Sequence, residues 1–205
     1  MEFAEHTLKD FTALLGSKAA VPGGGGASAL AGALGAALGA MVGNLTIGKP
    51  KYAAVEPEIL ELTERAKALS KKLLALVDED ATAFQPLSQA YALPKDTPGR
   101  DDIMEACLRK AADAPLEILR CCCEAIELHE GFAEKGSVMA VSDAATGAVL
   151  CWGAMYGAAV NVKVNTKLMK RRDYADAINA EVDARMEEYW KRAEKVYEDI
   201  YRRYC

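Results

Sequence analysis

Apolar and polar positions recur at helical spacing along most of the chain, and no segment sustains the period-two alternation of a half-buried strand. After Thr7, a candidate N-cap, the positions Leu8, Phe11, Leu14 and Leu15 predict a short amphipathic helix that stops at Gly16. Pro57 suits a first helical turn, and Ile59, Leu62, Ala66, Leu69, Leu73, Leu76 and Val77 then keep one face to about Tyr91. Glu61, Glu64, Arg65, Lys67, Lys71 and Lys72 take the opposite face, and Pro86 predicts a kink near the helix end. Asp101 opens another long helix to about His129, which Pro115 should bend or break, and Gly131 and Gly136 bracket a loop. A heavily charged amphipathic helix from Tyr174 to Tyr201 closes the chain.

Two stretches lack this two-faced pattern. Val21 to Lys51 opens with Pro22 and the glycines Gly23 to Gly26, then continues in Ala, Gly and Leu with no charge between Ala27 and Gly43. Gly35, Gly39 and Gly43 recur every fourth position and so fall along one helical stripe, although each interior glycine costs about 1 kcal/mol relative to alanine. The expectation is a glycine loop with uncovered amides feeding a buried helix. Ser142 to Asn161 forms a second small-residue segment through Gly147, Gly153 and Gly157, and the two helices are expected to pack closely on each other. The whole reads as a single all-α domain over residues 1–205, an irregular bundle of about six helices. A glycine stripe in an uncharged run also marks paired membrane spans. This run, of about 17 residues, is at the lower limit for a span and is paved with Ala and Gly, so a buried helix and no membrane partner are expected. Without a preceding strand or a Gly-Lys-Ser/Thr ending, a nucleotide loop is not supported.

A net charge of −5 argues against sequence-independent nucleic-acid binding. The six cysteines, Cys107, Cys121, Cys122, Cys123, Cys151 and Cys205, and an N-terminus without a signal-peptide pattern lead to the expectation of a reduced, cytoplasmic protein. Cys121 to Cys123 are adjacent and lack metal-site spacing, and there are only two histidines, His6 and His129, so no metal is expected.

Candidate chemistry gathers at a few polar positions in this apolar frame. Asp80 shares the helix face of Ala83, Phe84 and Leu87, where a carboxylate needs a partner or a task. Ser142 or Asp143 suits a helix cap, and Asp143 is also a second candidate carboxylate. Asn44 and Thr46 end the first small-residue helix, Asn161 and Asn165 the second, and these ends are expected to cluster. Lys167, Lys170, Arg171 and Arg172 make a basic run beyond them.

Taken together, Pro22-Gly23-Gly24-Gly25, Met41 to Thr46, Gly48-Lys49, Asp80 with Ala83-Phe84, Leu93-Pro94-Lys95, Ser142-Asp143-Ala144 and Asn161-Val162 with Asn165 resemble the formiminotransferase-cyclodeaminase family, which includes stand-alone methenyltetrahydrofolate cyclohydrolases. The chain departs from that pattern at Gly26, where members often carry Ser. The resemblance implies an all-α homodimer acting on a one-carbon unit of tetrahydrofolate, by cyclodeamination or by cyclohydrolysis, with no separate cofactor. Asp80 and Asp143 are then the candidate catalytic carboxylates. Gly23, Gly24, Gly25, Asn44, Thr46, Ser142, Asn161 and Asn165 are candidates to hold the substrate, and Lys49, Lys163 or Lys167 to meet its anionic glutamate tail. A non-catalytic helical dimer that binds folate or a protein partner is the alternative.

Overall fold

The computed structural model describes residues 2–204; Cys205, one of the six cysteines, lies outside the described residues. Those residues form six α-helices: α1 (Leu8–Leu15), α2 (Gly24–Asn44), α3 (Glu56–Tyr91), α4 (Arg100–Lys135), α5 (Val141–Leu168) and α6 (Arg172–Tyr204). Short 3-10 turns at Phe3–Glu5, Pro50–Tyr52 and Val138–Ala140 complete the helical content, and no strand occurs among the described residues. Thr7 caps α1, its hydroxyl accepting from the Asp10 N–H at 3.1 Å. The N-terminal turn lies on α3, where the Phe3 N–H donates to Asp78 at 2.6 Å.

The small-residue helices α2 and α5 lie side by side, as expected, and run in opposite directions. Gly24 faces Asn161, Ser28 faces Gly157, and Gly35 faces Gly147 and Cys151. A Cβ at Gly35 would stand 2.8 Å from the Gly147 carbonyl oxygen, so the missing methyl groups set this spacing. α4 lies beneath the pair, sending Phe132 and His129 against Gly39 and Cys123 against Met155. α3 flanks α2, and α6 flanks α5. The outward faces of α2 and α5, directed away from α4, are apolar and uncovered: Leu34, Met41 and Leu45 on one helix, Val149, Tyr156, Val160 and Val164 on the other.

Three local expectations differ from the structure. The glycines after Pro22 are not a loop: Gly23 is the N-cap and Gly24 to Gly26 form the first turn of α2. The positive-φ glycines are Gly48 and Gly99 instead. α4 continues unbroken through Pro115, where a bend or a break is expected, and past Gly131, so no loop begins at Gly131. Gly131 serves packing, since a Cβ there would meet Leu62 Cδ1 at 2.7 Å. Neither Ser142 nor Asp143 caps α5, which starts one residue earlier behind Ala140. Of the basic run, Lys170 pairs with Asp101, Arg171 with Asp102, and Arg172 with Asp176 and the Thr166 carbonyl. The Cys121 to Cys123 run is buried throughout, in keeping with small core residues.

Candidate active site

One cleft gathers chemistry from four elements. It is lined by Val21 and the glycines Gly23 to Gly25 at the start of α2, Asp80 and Phe84 from α3, Ala111 and Pro115 from α4, and Asn161, Val164 and Asn165 from α5. Its volume is about 150 Å³, well below the 300–1,000 Å³ or so of a pocket that encloses a drug-sized ligand.

Asp80 is half-buried, and no lysine or arginine pairs with it among the described residues. Burial raises its pKa above the ordinary carboxylate value, an effect opposed by the Gly26 N–H at the first turn of α2. The carboxylate therefore sits on the positive end of a helix without a neutralising side chain. This approach depends on Gly25, where a Cβ would come 2.5 Å from Asp80 Cγ.

The two asparagines are oriented by their own hydrogen bonds. Asn161 Nδ2 donates to the Gly157 carbonyl at 2.8 Å, and Asn165 Nδ2 donates to the carbonyls of Asn161 at 2.9 Å and Ala111 at 3.1 Å. Because carbonyl oxygens only accept, the amide nitrogens must face them. Asn165 is left with its Oδ1 alone, and Asn161 with its Oδ1 and one N–H. The wall thus sets the Asp80 carboxylate and the asparagine oxygens as acceptors beside the free N–H groups of the first turn of α2, suited to a ligand that carries N–H groups or a positive charge and also acceptor atoms.

The candidates do not all meet here. Gly23, Gly24, Gly25, Asp80, Asn161 and Asn165 do. Asn44, Thr46, Lys49, Ser142 and Asp143 stand at the opposite end of the α2–α5 pair, roughly 30 Å away by the rise of the intervening helices. The expected clustering of Asn44 and Thr46 with Asn161 and Asn165 fails because the helices are antiparallel. Thr46 is fully buried, its hydroxyl donating to Val42 O at 2.7 Å and accepting from the Ser137 N–H at 2.8 Å, while Lys49 donates to Ser137 Oγ at 3.3 Å. Lys163 is held by Asp183 of α6, and Lys167 is exposed; neither lines the cleft. Phe84, Ala111, Pro115 and Val164 do line it and were not among the candidate site residues. Only Phe84, one turn from Asp80, carried a positional hint. Among the described residues, no three His, Cys, Asp or Glu side chains converge as a metal site.

A formiminotransferase-cyclodeaminase family model matches residues 7–184. The chain belongs to this family. It is 38% identical over 199 residues to the methenyltetrahydrofolate cyclohydrolase of Methylorubrum extorquens, covering 95% of this chain and 96% of that one. To the formimidoyltransferase-cyclodeaminase of Mus musculus it is 31% identical over 170 residues, which are 80% of this chain but 31% of the mouse protein. In three dimensions it matches the crystal structure of a formiminotetrahydrofolate cyclodeaminase from Thermotoga maritima with a TM-score of 0.84 and 30% identity, covering 96% and 98% of the two chains. Its all-α fold is the family's fold.

Proposed function

We propose that the protein is a folate one-carbon enzyme whose leading activity is hydrolysis of methenyltetrahydrofolate at the Asp80 cleft. The observation that carries this reading is the unpaired, half-buried carboxylate of Asp80 between the first turn of α2 and the acceptor oxygens of Asn161 and Asn165. A methenyl group bridging two nitrogens is an amidinium-like cation, and an acceptor-lined cleft holding one carboxylate complements it. Full-length similarity to the Methylorubrum cyclohydrolase favours water as the attacking group. Asp80 takes a proton from water as it adds to the one-carbon centre. The protonated carboxyl then returns that proton to the leaving nitrogen; as the C–N bond breaks, the added hydroxyl gives up its remaining proton to solvent and a formyl group remains. Cyclodeamination is the second reading, favoured by the likeness to the Thermotoga enzyme. It needs the same proton acceptor and donor, with ammonia leaving.

We further propose a homodimer joined through the uncovered faces of α2 and α5. The small volume of the cleft supports it, because a folate would extend beyond one subunit's walls. A two-fold axis lying in that face and perpendicular to the helices carries the far end of one copy, with Asn44, Lys49, Ser142 and Asp143, over the cleft of the other. This gives the separated candidates a role in one site.

Loss of methenyltetrahydrofolate absorbance, run beside ammonia release from formiminotetrahydrofolate, separates the two chemistries. Turnover of neither leaves a non-catalytic helical dimer. Asp80→Asn is expected to lower kcat by about 10²-fold to 10⁴-fold with little change in folate affinity; an equal loss in both makes Asp80 a binding residue. Because burial raises the Asp80 pKa, the acid limb of kcat/KM is expected above the ordinary carboxylate range, activity rising as the group deprotonates.

A further inference from the structure

Proline inside a helix withholds the N–H that would bond the carbonyl four residues earlier. In α4 that proline is Pro115, and the carbonyl it leaves without its helical partner belongs to Ala111. α4 nevertheless continues from Arg100 to Lys135, and the Ala111 carbonyl accepts from Asn165 Nδ2 of α5 at 3.1 Å. The second proton of the same Nδ2 goes to the Asn161 carbonyl at 2.9 Å. Both amide protons of Asn165 are therefore committed, each to a backbone oxygen of a different helix. Turning the amide over would set Oδ1 against two oxygens and forfeit both bonds. Pro115, Ala111, Asn161, Asn165 and Asp80 all line the one cleft.

We propose that Pro115 is a positioning residue for this cleft: by leaving the Ala111 carbonyl free, it lets that oxygen lock the Asn165 amide with Oδ1 presented beside Asp80 as an acceptor for the substrate's cationic one-carbon group. The assignment rests on the folate reading for its catalytic consequence, but the lock itself is a property of the free protein. An alanine at position 115 brings back the helical donor. Its N–H then competes with Asn165 for the Ala111 oxygen.

The test is a double-mutant cycle of Pro115→Ala and Asn165→Ala, with kcat, KM, melting temperature and side-chain amide NMR measured for each protein. Pro115→Ala is expected to raise the melting temperature, since proline is the least favourable interior helix residue. It is also expected to lower kcat/KM by about tenfold, in kcat, as for loss of one hydrogen bond to a charged group. In the Asn165→Ala background the Pro115 change is expected to have almost no further effect on rate. Independently of any substrate, the Asn165 side-chain protons in the ligand-free protein are expected to exchange slowly in the wild type and faster in Pro115→Ala. Unchanged exchange overturns the lock whether or not the protein turns over folate. Slowed turnover with additive effects of the two substitutions overturns the positioning role and leaves Pro115 a packing residue. Should Pro115→Ala not fold, Asn165→Asp, which cannot donate to a carbonyl, is measured instead. Retention of wild-type kcat by Asn165→Asp overturns the proposal.

Discussion

Adjacent glycines at the start of α2 have opposite structural meanings. A methyl group at Gly25 collides with the Asp80 carboxylate, whereas one at Gly26 meets Pro22 Cβ and the Val77 carbonyl at 3.5 and 3.6 Å, which is ordinary contact. Gly25→Ala is therefore expected to abolish activity by displacing Asp80. Gly26→Ala is expected to keep it and add about 0.5–1 kcal/mol of stability, read by urea denaturation beside the turnover assay. His129 is a different kind of buried polar group. Its Nε2 lies 3.0 Å from the Gly35 carbonyl, its Nδ1 has no partner, and burial lowers its pKa to about 4. Between the unfolded value near 6.5 and about 4, the unfolded chain binds the extra proton. Stability is thus full above that window and falls as the pH drops through it, by about 3 kcal/mol in total. Urea midpoints at pH 7 and pH 5 are expected to differ less in His129→Gln than in the wild type.

At the scale of the helix, the sequence revealed more about existence and packing than about direction. The six helices, the apolar stripe of α3 and the close α2–α5 pair followed from periodicity and small residues. What periodicity does not carry is which way neighbouring helices run, and so the sequence groups Asn44 with Asn161 although they lie at opposite ends of the α2–α5 pair. The glycine stripe does not face a single neighbour. Because four residues overshoot one turn by about 40°, Gly35, Gly39 and Gly43 rotate through about 80°. They accordingly meet α5, then α4, then Thr63 of α3. Asp80 was legible because a carboxylate on an apolar face is anomalous. At Pro115 the sequence leaves bend and break open, and α4 is unbroken there; the donor that reaches the freed Ala111 carbonyl comes from Asn165, 50 positions away, which no local pattern shows. Gly35→Ala, whose methyl would press on Gly147 and Cys151, is expected to lower stability by about 2 kcal/mol, measured by chemical denaturation.

For the molecule as a whole, the uncovered face is the largest departure from a self-contained bundle. Val160, 61% exposed, and Val164, 52% exposed, stand at its α5 side within a turn of Asn161. Val160→Glu is expected to convert a dimer into monomers by light scattering and to lower turnover, with the helical circular dichroism unchanged. A wild-type monomer at micromolar concentration would remove the dimer from the account. The antiparallel course of α2 and α5 has one more effect. The electropositive start of one helix and the electronegative end of the other share the same mouth, so their fields cancel a few ångströms into solvent. The charge left to guide a cation toward that mouth is the Asp80 carboxylate alone, so under the proposed cyclohydrolase reading added salt should weaken capture only as far as one screened charge allows.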